Sequence, residues 1–267
     1  MTSSLDLTRT ELESAMAARA PGRDAADALC VSCVGLLEVD GVAVSVISGG
    51  TSAGTFGSSS AVSRRLDEYH FTFGEGPSLD AVSSRSPVLV PDLGAGSEDR
   101  WPAFRDALLE DGIRGVFALP IMITSACVGA LDLYRQRPGP LGGEALASAM
   151  VAAQLASAPL LDLISGARTV EDSEVDPHAD ADDDPTPDMD RVEIYQASGM
   201  LMPALGVSAD EAMLRLRAHA LATSQSASQV ARAIIERRLV LERDDAHWPH
   251  DTNGSHHSQP DPERGSP

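Results

Sequence analysis

Over the first 165 residues the spacing of apolar and polar positions changes period several times. Thr8–Arg19 places Leu12 and Met16 one turn apart and predicts a helix, broken at Pro21-Gly22. A second helix is predicted over Asp24–Leu37, with Ala25, Ala28, Leu29, Ser32, Val34 and Leu36 near its buried side. The β-rich run Gly41–Ile47 predicts a strand, the Ser/Gly cluster 48–54 a turn, and Thr55–Ser59 a second short strand. A helix over Ala61–Glu68 is followed by Tyr69–Phe73, which reads as aromatic and extended, and by a tight turn at Gly74-Glu-Gly-Pro77. Ser78–Arg85 reads as a short helix and Pro87–Val90 as a buried strand. Trp101–Glu110 reads as a helix with Pro102 in its first turn, where a missing N–H costs little. Gly115–Ile123 and Ala126–Arg135 predict two long strands around a turn at Thr124-Ser125, and Leu141–Ile164 a long Ala/Leu helix. Strands joined mostly by hairpins imply an antiparallel sheet flanked by helices, an α+β domain.

The periodicity stops at 166–188, where acidic residues alternate with Pro177, Pro185 and Pro187. Low hydrophobicity and like charge predict a flexible linker there. Three helical segments follow within 189–243. Met189–Met202 should end at Pro203 and Gly206. Ser208-Ala-Asp-Glu211 and Ser226-Ala-Ser-Gln229 each have the spacing of a capping box, opening helices to about Ala222 and Leu241. Val230, Ile234 and Leu241 share a face of the last helix, while the small Ala197 and Gly199 would let a helix approach the first. Residues 1–7 and 244–267 are expected to be disordered, which leaves a sensor-sized unit at 8–165 and a small one at 189–243.

Charge narrows the functional classes. The formal net charge is −20, so the whole chain is not built to hold nucleic acid or an anionic membrane by bulk attraction. Between Asp190 and Arg243, seven arginines oppose six acidic residues, leaving a net +1. No lysine occurs, so every fixed cation is a planar, bidentate donor. The cysteines are Cys30, Cys33 and Cys127; with no charged n-region before an apolar run, and apolar runs such as Gly115–Ile123 too short for a bilayer, the expected location is a reducing cytoplasm. His247, His250, His256 and His257 read as a solvated tail rather than a metal site.

Two candidate clusters remain open on pattern alone. Phe71, Phe73, Trp101, Phe104 and Phe117, with Glu75, Asp80 or Asp92 as polar groups, line a ligand pocket or else fill the core. Cys30-Val-Ser-Cys33 suits redox or metal chemistry or else packs as small buried residues, the reading its single pair favours. The C-terminal arginines could equally be a solvated face with pairs such as Arg232–Glu236.

Resemblance adds to this. Gln196-Ala-x-Gly199, Leu205-Gly-Val-Ser208, Glu211-Ala212, Leu216-Arg-x-His-Ala220, Val230-Ala231 and Ile234 through Arg237-Arg238-Leu239 resemble an ANTAR domain, the three-helix RNA-binding output module of bacterial antitermination regulators. Many members carry Lys or Thr where this chain has Ser198. Upstream, Phe73-Gly-Glu-Gly-Pro-Ser-Leu-Asp80, Pro87-Val-Leu-Val-Pro-Asp92, Arg100-Trp-Pro-Ala-Phe104, Phe117-Ala-Leu-Pro120 and Gly129-Ala-Leu-Asp-Leu-Tyr134 resemble a GAF domain, whose Gly-Glu-Gly-Pro piece often has Cys at the position of Ser78. The resemblance implies a non-enzymatic regulator: a GAF-like sensor for an unknown small molecule, an RNA-binding unit that takes two stem-loops of a nascent transcript, and a homodimer to match two hairpins. On that reading the candidate RNA contacts are Arg191, Gln196, Ser198, Arg217, His219, Arg232, Arg237 and Arg238, and the candidate ligand-pocket residues, chosen from the aromatic and polar pattern, are Phe71, Phe73, Glu75, Ser78, Asp92, Trp101, Phe104 and Phe117. No cofactor or metal is expected. The acidic linker and tail could compete for the arginines. The alternatives are a thiol enzyme like the free methionine sulfoxide reductases of GAF type, using Cys30, Cys33 and Cys127, and an interaction module whose C-terminal helices only dimerise.

Overall fold

The computed structural model describes residues 3–96, 99–162 and 191–241. The linker 166–188, the tail 244–267 and its histidines lie outside the described residues.

Helices α1 (Ser4–Ala17) and α2 (Arg23–Leu37) lead into the hairpin β1 (Gly41–Ser48) and β2 (Thr51–Ser58). Then come α3 (Ala61–Phe73), α4 (Pro77–Ser84), β3 (Val88–Val90), a 3-10 turn at Leu93–Ala95, and α5 (Pro102–Glu110). The hairpin β4 (Gly115–Ile123) and β5 (Ala126–Arg135) precedes α6 (Gly143–Leu155), with a further helical stretch over 157–162. The sheet is antiparallel throughout, in the order β2-β1-β5-β4-β3. The C-terminal unit is α7 (Val192–Leu205), α8 (Ala209–Ala222) and α9 (Ala227–Ile235).

Strand alternation sorts the sheet into two unlike faces. Val42, Val44, Phe117, Leu119, Ile121, Leu131 and Leu133 point to one side, where they form the main core with α1, α2 and α6. The intervening positions include Ala43, Ser45, Ala118, Ala130 and Asp132, small or polar and buried against α3 and α4. This second face lets α4 lie directly on the strands. By length and composition Gly143–Asp162 could cross a membrane; here its Ala149, Ala152, Ala153, Ala156 and Leu160 are buried in the main core.

Several elements differ from expectation, each for a local reason. α1 starts at Ser4 because Ser3 and Asp6 form a reciprocal capping box, so 3–7 are ordered rather than loose. β2 begins at Thr51; the turn is only Gly49-Gly50, both at positive φ. The aromatic run 69–73 is not extended. α3 continues through it, with Tyr69 and Phe73 stacked one turn apart at 5.8 Å, until Gly74 ends the helix in the left-handed conformation. Pro203 does not end α7; Gly206 does, with its N–H on the Met202 carbonyl. Ser208 caps Glu211 N, but the Glu211 carboxylate pairs with Arg215 at 2.8 Å and does not close the box. The Ser226–Gln229 box is complete. α9 stops at Ile235, well short of Leu241, with Arg237 at a φ of 57°.

Candidate functional site

The expected pocket residues divide: Phe73, Trp101 and Phe104 come together with Glu75, while Phe117 and Phe71 go elsewhere. Phe117 lies in the main core, Trp101 and Phe104 in a second core under α3 and α5, and Phe71 in the core of the C-terminal unit. Glu75 is a cap: its carboxylate accepts from Ala103 N at 2.8 Å and Phe104 N at 3.0 Å, at the α5 N-terminus. Asp92 accepts from Gly94 N and pairs with Arg114 at 2.8 Å, a guanidinium contact that holds its carboxyl below the usual carboxylate range. Ser78 alone reaches a polar centre, and that centre involves residues the sequence reading did not select.

This centre is His70, Ser78, Asp132 and Ser45, all buried between the sheet and α3/α4. The hydroxyls of Ser45 (at 2.7 Å) and Ser78 donate to opposite oxygens of Asp132. Ser78 Oγ also lies 2.9 Å from His70 Nε2. Burial pushes the Asp132 carboxyl up to about 7, against the lowering pull of the two serines. Burial pushes His70 down to about 4, so its ring is neutral. The Ser78 backbone N–H also donates to Nε2 at 3.4 Å, which makes Nε2 an acceptor and leaves the proton of the neutral ring on Nδ1. That Nδ1 is buried and, among the described residues, without a hydrogen-bond partner. Gly76 makes the turn possible: its φ is 135°, and a side chain there would collide with the His70 ring. Serine, histidine and aspartate recur in hydrolases, but here the carboxylate holds the serine and not the imidazole, which is the wrong order for a proton relay to a nucleophile.

The second site is the junction of the two units, built on the outward face of α3. Arg191, just before α7, is 4% exposed. Its guanidinium pairs with Asp67 of α3 at 2.9 Å and donates to Ser52 Oγ at 2.9 Å and to the Ser52 carbonyl. It also lies 3.9 Å from the Phe71 ring centroid. Asp67 accepts from Ser52 and Thr55 as well. Arg217 of α8 sits 5.4 Å from the same ring and donates through Nε to the Thr72 carbonyl at the C-terminal end of α3. Burial and the neighbouring Arg191 both lower its pKa. At the α9 N-terminus, Ala227 N donates to Thr72 Oγ1 at 3.1 Å and Ser228 N to Glu68 at 3.3 Å. The sensor thus satisfies two of the helix's orphan amides.

The expected RNA contacts therefore divide. Arg191 and Ser198 are buried, Ser198 with its hydroxyl near the Met213 sulfur, and Arg217 is half-buried on the sensor. Gln196, Arg232, Arg237 and Arg238 are exposed, and His219 half-exposed. Arg232 pairs with Glu193 at 3.2 Å and Arg238 with Glu236 at 2.5 Å, in place of the expected Arg232–Glu236 pair. Gly199 faces open space, so it is Ala197, not Gly199, that packs inward. Arg232 and Arg238 line a groove of about 870 Å³ between the units, whose other wall carries Tyr69 and Phe73. Cys30 and Cys33 are sealed in the main core; burial pushes Cys33 up to about 12 and raises Cys30 further from its thiolate, while Cys127 is half-buried.

Two family models match: the GAF domain over residues 22–160 and the ANTAR domain over 189–235. No curated protein matches. Among solved structures, the GAF domain of an Acinetobacter phosphoenolpyruvate-protein phosphotransferase is 13% identical, covering 64% of this chain and 99% of its own, with a TM-score of 0.48. The corresponding Coxiella burnetii domain is 16% identical, covering 62% and 96%, at 0.47. A type II free methionine-R-sulfoxide reductase from Thermoplasma acidophilum is 14% identical, covering 58% and 96%, at 0.39. With the GAF model spanning more than half of its length and the ANTAR model the three helices behind it, the chain belongs to the GAF family and carries an ANTAR domain as its C-terminal unit.

Proposed function

We propose that this protein is a signal-responsive RNA-binding regulator. Its C-terminal three-helix domain binds stem-loops in nascent transcripts and promotes antitermination, under control of the GAF sensor. The observation that carries the reading is the ANTAR match over 189–235, a domain type that binds RNA. The geometry is consistent with it. Arg232, Arg237 and Arg238 are exposed at the end of the last helix, and Arg237 makes no side-chain pairing among the described residues. With a net charge of only +1 on the unit, recognition rests on placed guanidiniums reading unstacked loop bases, with phosphate contacts setting the register.

A homodimer would present two such units to two hairpins. On α7, Val192 and Tyr195 are 63% and 61% exposed, and they form one stripe with Gly199 and Met202. The stripe is a surface on which a second copy could pack, and it equally supports the reading in which the helices serve dimerisation alone. Crosslinking and sequencing of bound RNA in cells separates the two. Hairpin-bearing transcripts are expected, and the arginine-to-alanine variants at 232, 237 and 238 should each lose on the order of tenfold in affinity for the recovered RNA. Recovery of no such transcripts would overturn the RNA reading.

A further inference from the structure

We propose that helix α3 of the sensor is an intramolecular competitor of RNA: it holds Arg191 and Arg217 in a docked state, so the C-terminal unit is autoinhibited until α3 releases it. This rests on the RNA-binding reading above and adds how that site is controlled.

The junction is specific rather than incidental. Phe71 leaves the sensor and plugs into the core of the three-helix unit, where it is 6% exposed and clusters with that unit's buried side chains. Two arginines of that unit, Arg191 and Arg217, close over its ring. Arg191 and Asp67 have side chains only 5% and 2% exposed, and Ser52 and Thr55 complete the hydrogen bonds of the pair. A guanidinium so enclosed presents no donor to a phosphate or a base. Arg217 directs its Nε to the Thr72 carbonyl, and Thr72 and Glu68 occupy the first amides of α9. An RNA that used either arginine would have to displace α3.

The same helix is the natural place for a signal to act. One α3 face carries His70 into the buried centre with Ser78 and Asp132; another carries Asp67, Glu68, Phe71 and Thr72 to the junction. The helix spans 61–73, so both sets lie within about two turns of one rigid rod. A shift of α3 at the sensor core is therefore a shift at the arginines. The apparent affinity of an occluded site is its intrinsic affinity reduced by the open fraction.

The test uses the full-length chain and a pool of RNAs with two stem-loops and randomised loops. Asp67→Asn keeps the shape of the side chain but leaves Arg191 without its counter-charge. Phe71→Ala empties the plug and alters a side chain that release would expose in any case, which guards against a folding defect in the first variant. Hydrogen exchange at the amides of Ala227 and Ser228 reads opening, and binding to the pool reads competence. Both variants should exchange faster and bind on the order of tenfold tighter than the parent. Arg191→Ala should open equally yet bind more weakly than Asp67→Asn, a difference that a purely structural arginine would not produce. Unchanged exchange in Asp67→Asn and Phe71→Ala overturns the latch, as does faster exchange with binding equal to the parent. If no variant binds any member of the pool, although the amides exchange faster, the RNA-binding reading itself fails and the competition falls with it.

Discussion

The buried centre under α3 contains two groups whose titrations oppose each other, and replacing one exposes the other. Asp132 is pushed from its ordinary 3.8 up to about 7 by burial, so between those values the fold binds more protons than the unfolded chain. Stability from this group is therefore fully present below about pH 4 and lost as pH rises to about 7. At 1.36 kcal/mol per pH unit, the loss is about 4 kcal/mol. His70 is pushed from 6.5 down to about 4, so the fold binds fewer protons across that window. Its contribution runs the other way, present above about 6.5 and lost as pH falls to about 4, for about 3 kcal/mol. From about pH 4 to 6.5 the two slopes nearly cancel, and the parent protein should show little dependence from this centre.

Asp132→Asn breaks the cancellation. The amide reproduces the shape of the neutral carboxyl, but its second N–H has no acceptor, since Ser45 and Ser78 already face the two oxygens. A buried unsatisfied donor costs about 1–3 kcal/mol. At about pH 4 the variant should be less stable than the parent by roughly that amount. At about pH 8 it should be more stable by about 1–3 kcal/mol, the 4 kcal/mol no longer lost less the amide penalty. The sign of the difference reverses in between. Trp101 is 2% exposed in the sensor core, and with Trp248→Phe it becomes the sole tryptophan, so urea unfolding followed by its emission reports this domain. A stability difference that stays constant within about 0.5 kcal/mol from about pH 4 to 8 would show that Asp132 titrates normally, and the account of this centre would be wrong.

Two further outcomes follow from the geometry. Glu75→Ala strips the side-chain acceptor from the first amides of α5 and should lower the sensor's unfolding free energy by about 1–2 kcal/mol; a negligible change in urea midpoint would deny Glu75 its capping role. In the native protein, Cys127 should label with a maleimide faster than Cys30 and Cys33, which are at most 1% exposed. Rapid labelling of either α2 thiol, followed by mass spectrometry of the peptides, would reopen the thiol-enzyme reading.

The sheet and most helix starts were legible because they rest on local signals. The β4–β5 hairpin follows from two apolar runs around Thr124-Ser125, and α9 from a complete Ser226–Gln229 box. Helix ends were less legible. Tyr69–Phe73 looks like a strand because aromatics alternate there, yet the same spacing sets Tyr69 over Phe73 on a helix and sends Phe71 to a different partner. The five aromatics of the candidate pocket are less legible for a similar reason: pattern alone leaves pocket and core open, and α3 and the strands send Phe117 to the main core, Phe71 to the C-terminal unit, and Phe73, Trp101 and Phe104 to a shared core. One usable signal was missed. Asp132 is a lone acid inside the apolar run from Val128 to Tyr134, and a charge at such a position must be neutral, paired or hydrogen-bonded. His70, Ser45 and Asp67 carried no such mark.

The junction explains why charge was a poor guide to the C-terminal unit. Counting Arg191 and Arg217 toward the +1 assumes that both face solvent. In the docked state Asp67 neutralises Arg191 and the C-terminal end of α3 receives Arg217. Among the described residues the accessible cations are then mainly those at 232, 237 and 238, two of them paired with Glu193 and Glu236. Exposed pairs such as these are worth about 0–1 kcal/mol, and a phosphate can exchange into them readily. The Asp67–Arg191 pair is different, because removing one partner of a buried pair costs about 3–5 kcal/mol while the other stays buried. Undocking avoids that penalty by returning both groups to water, at the cost of exposing Phe71 and uncapping α9. A signal therefore need not break the ion pair directly. It need only move α3 far enough that Phe71 no longer fills the three-helix core, after which solvent can take over the charges.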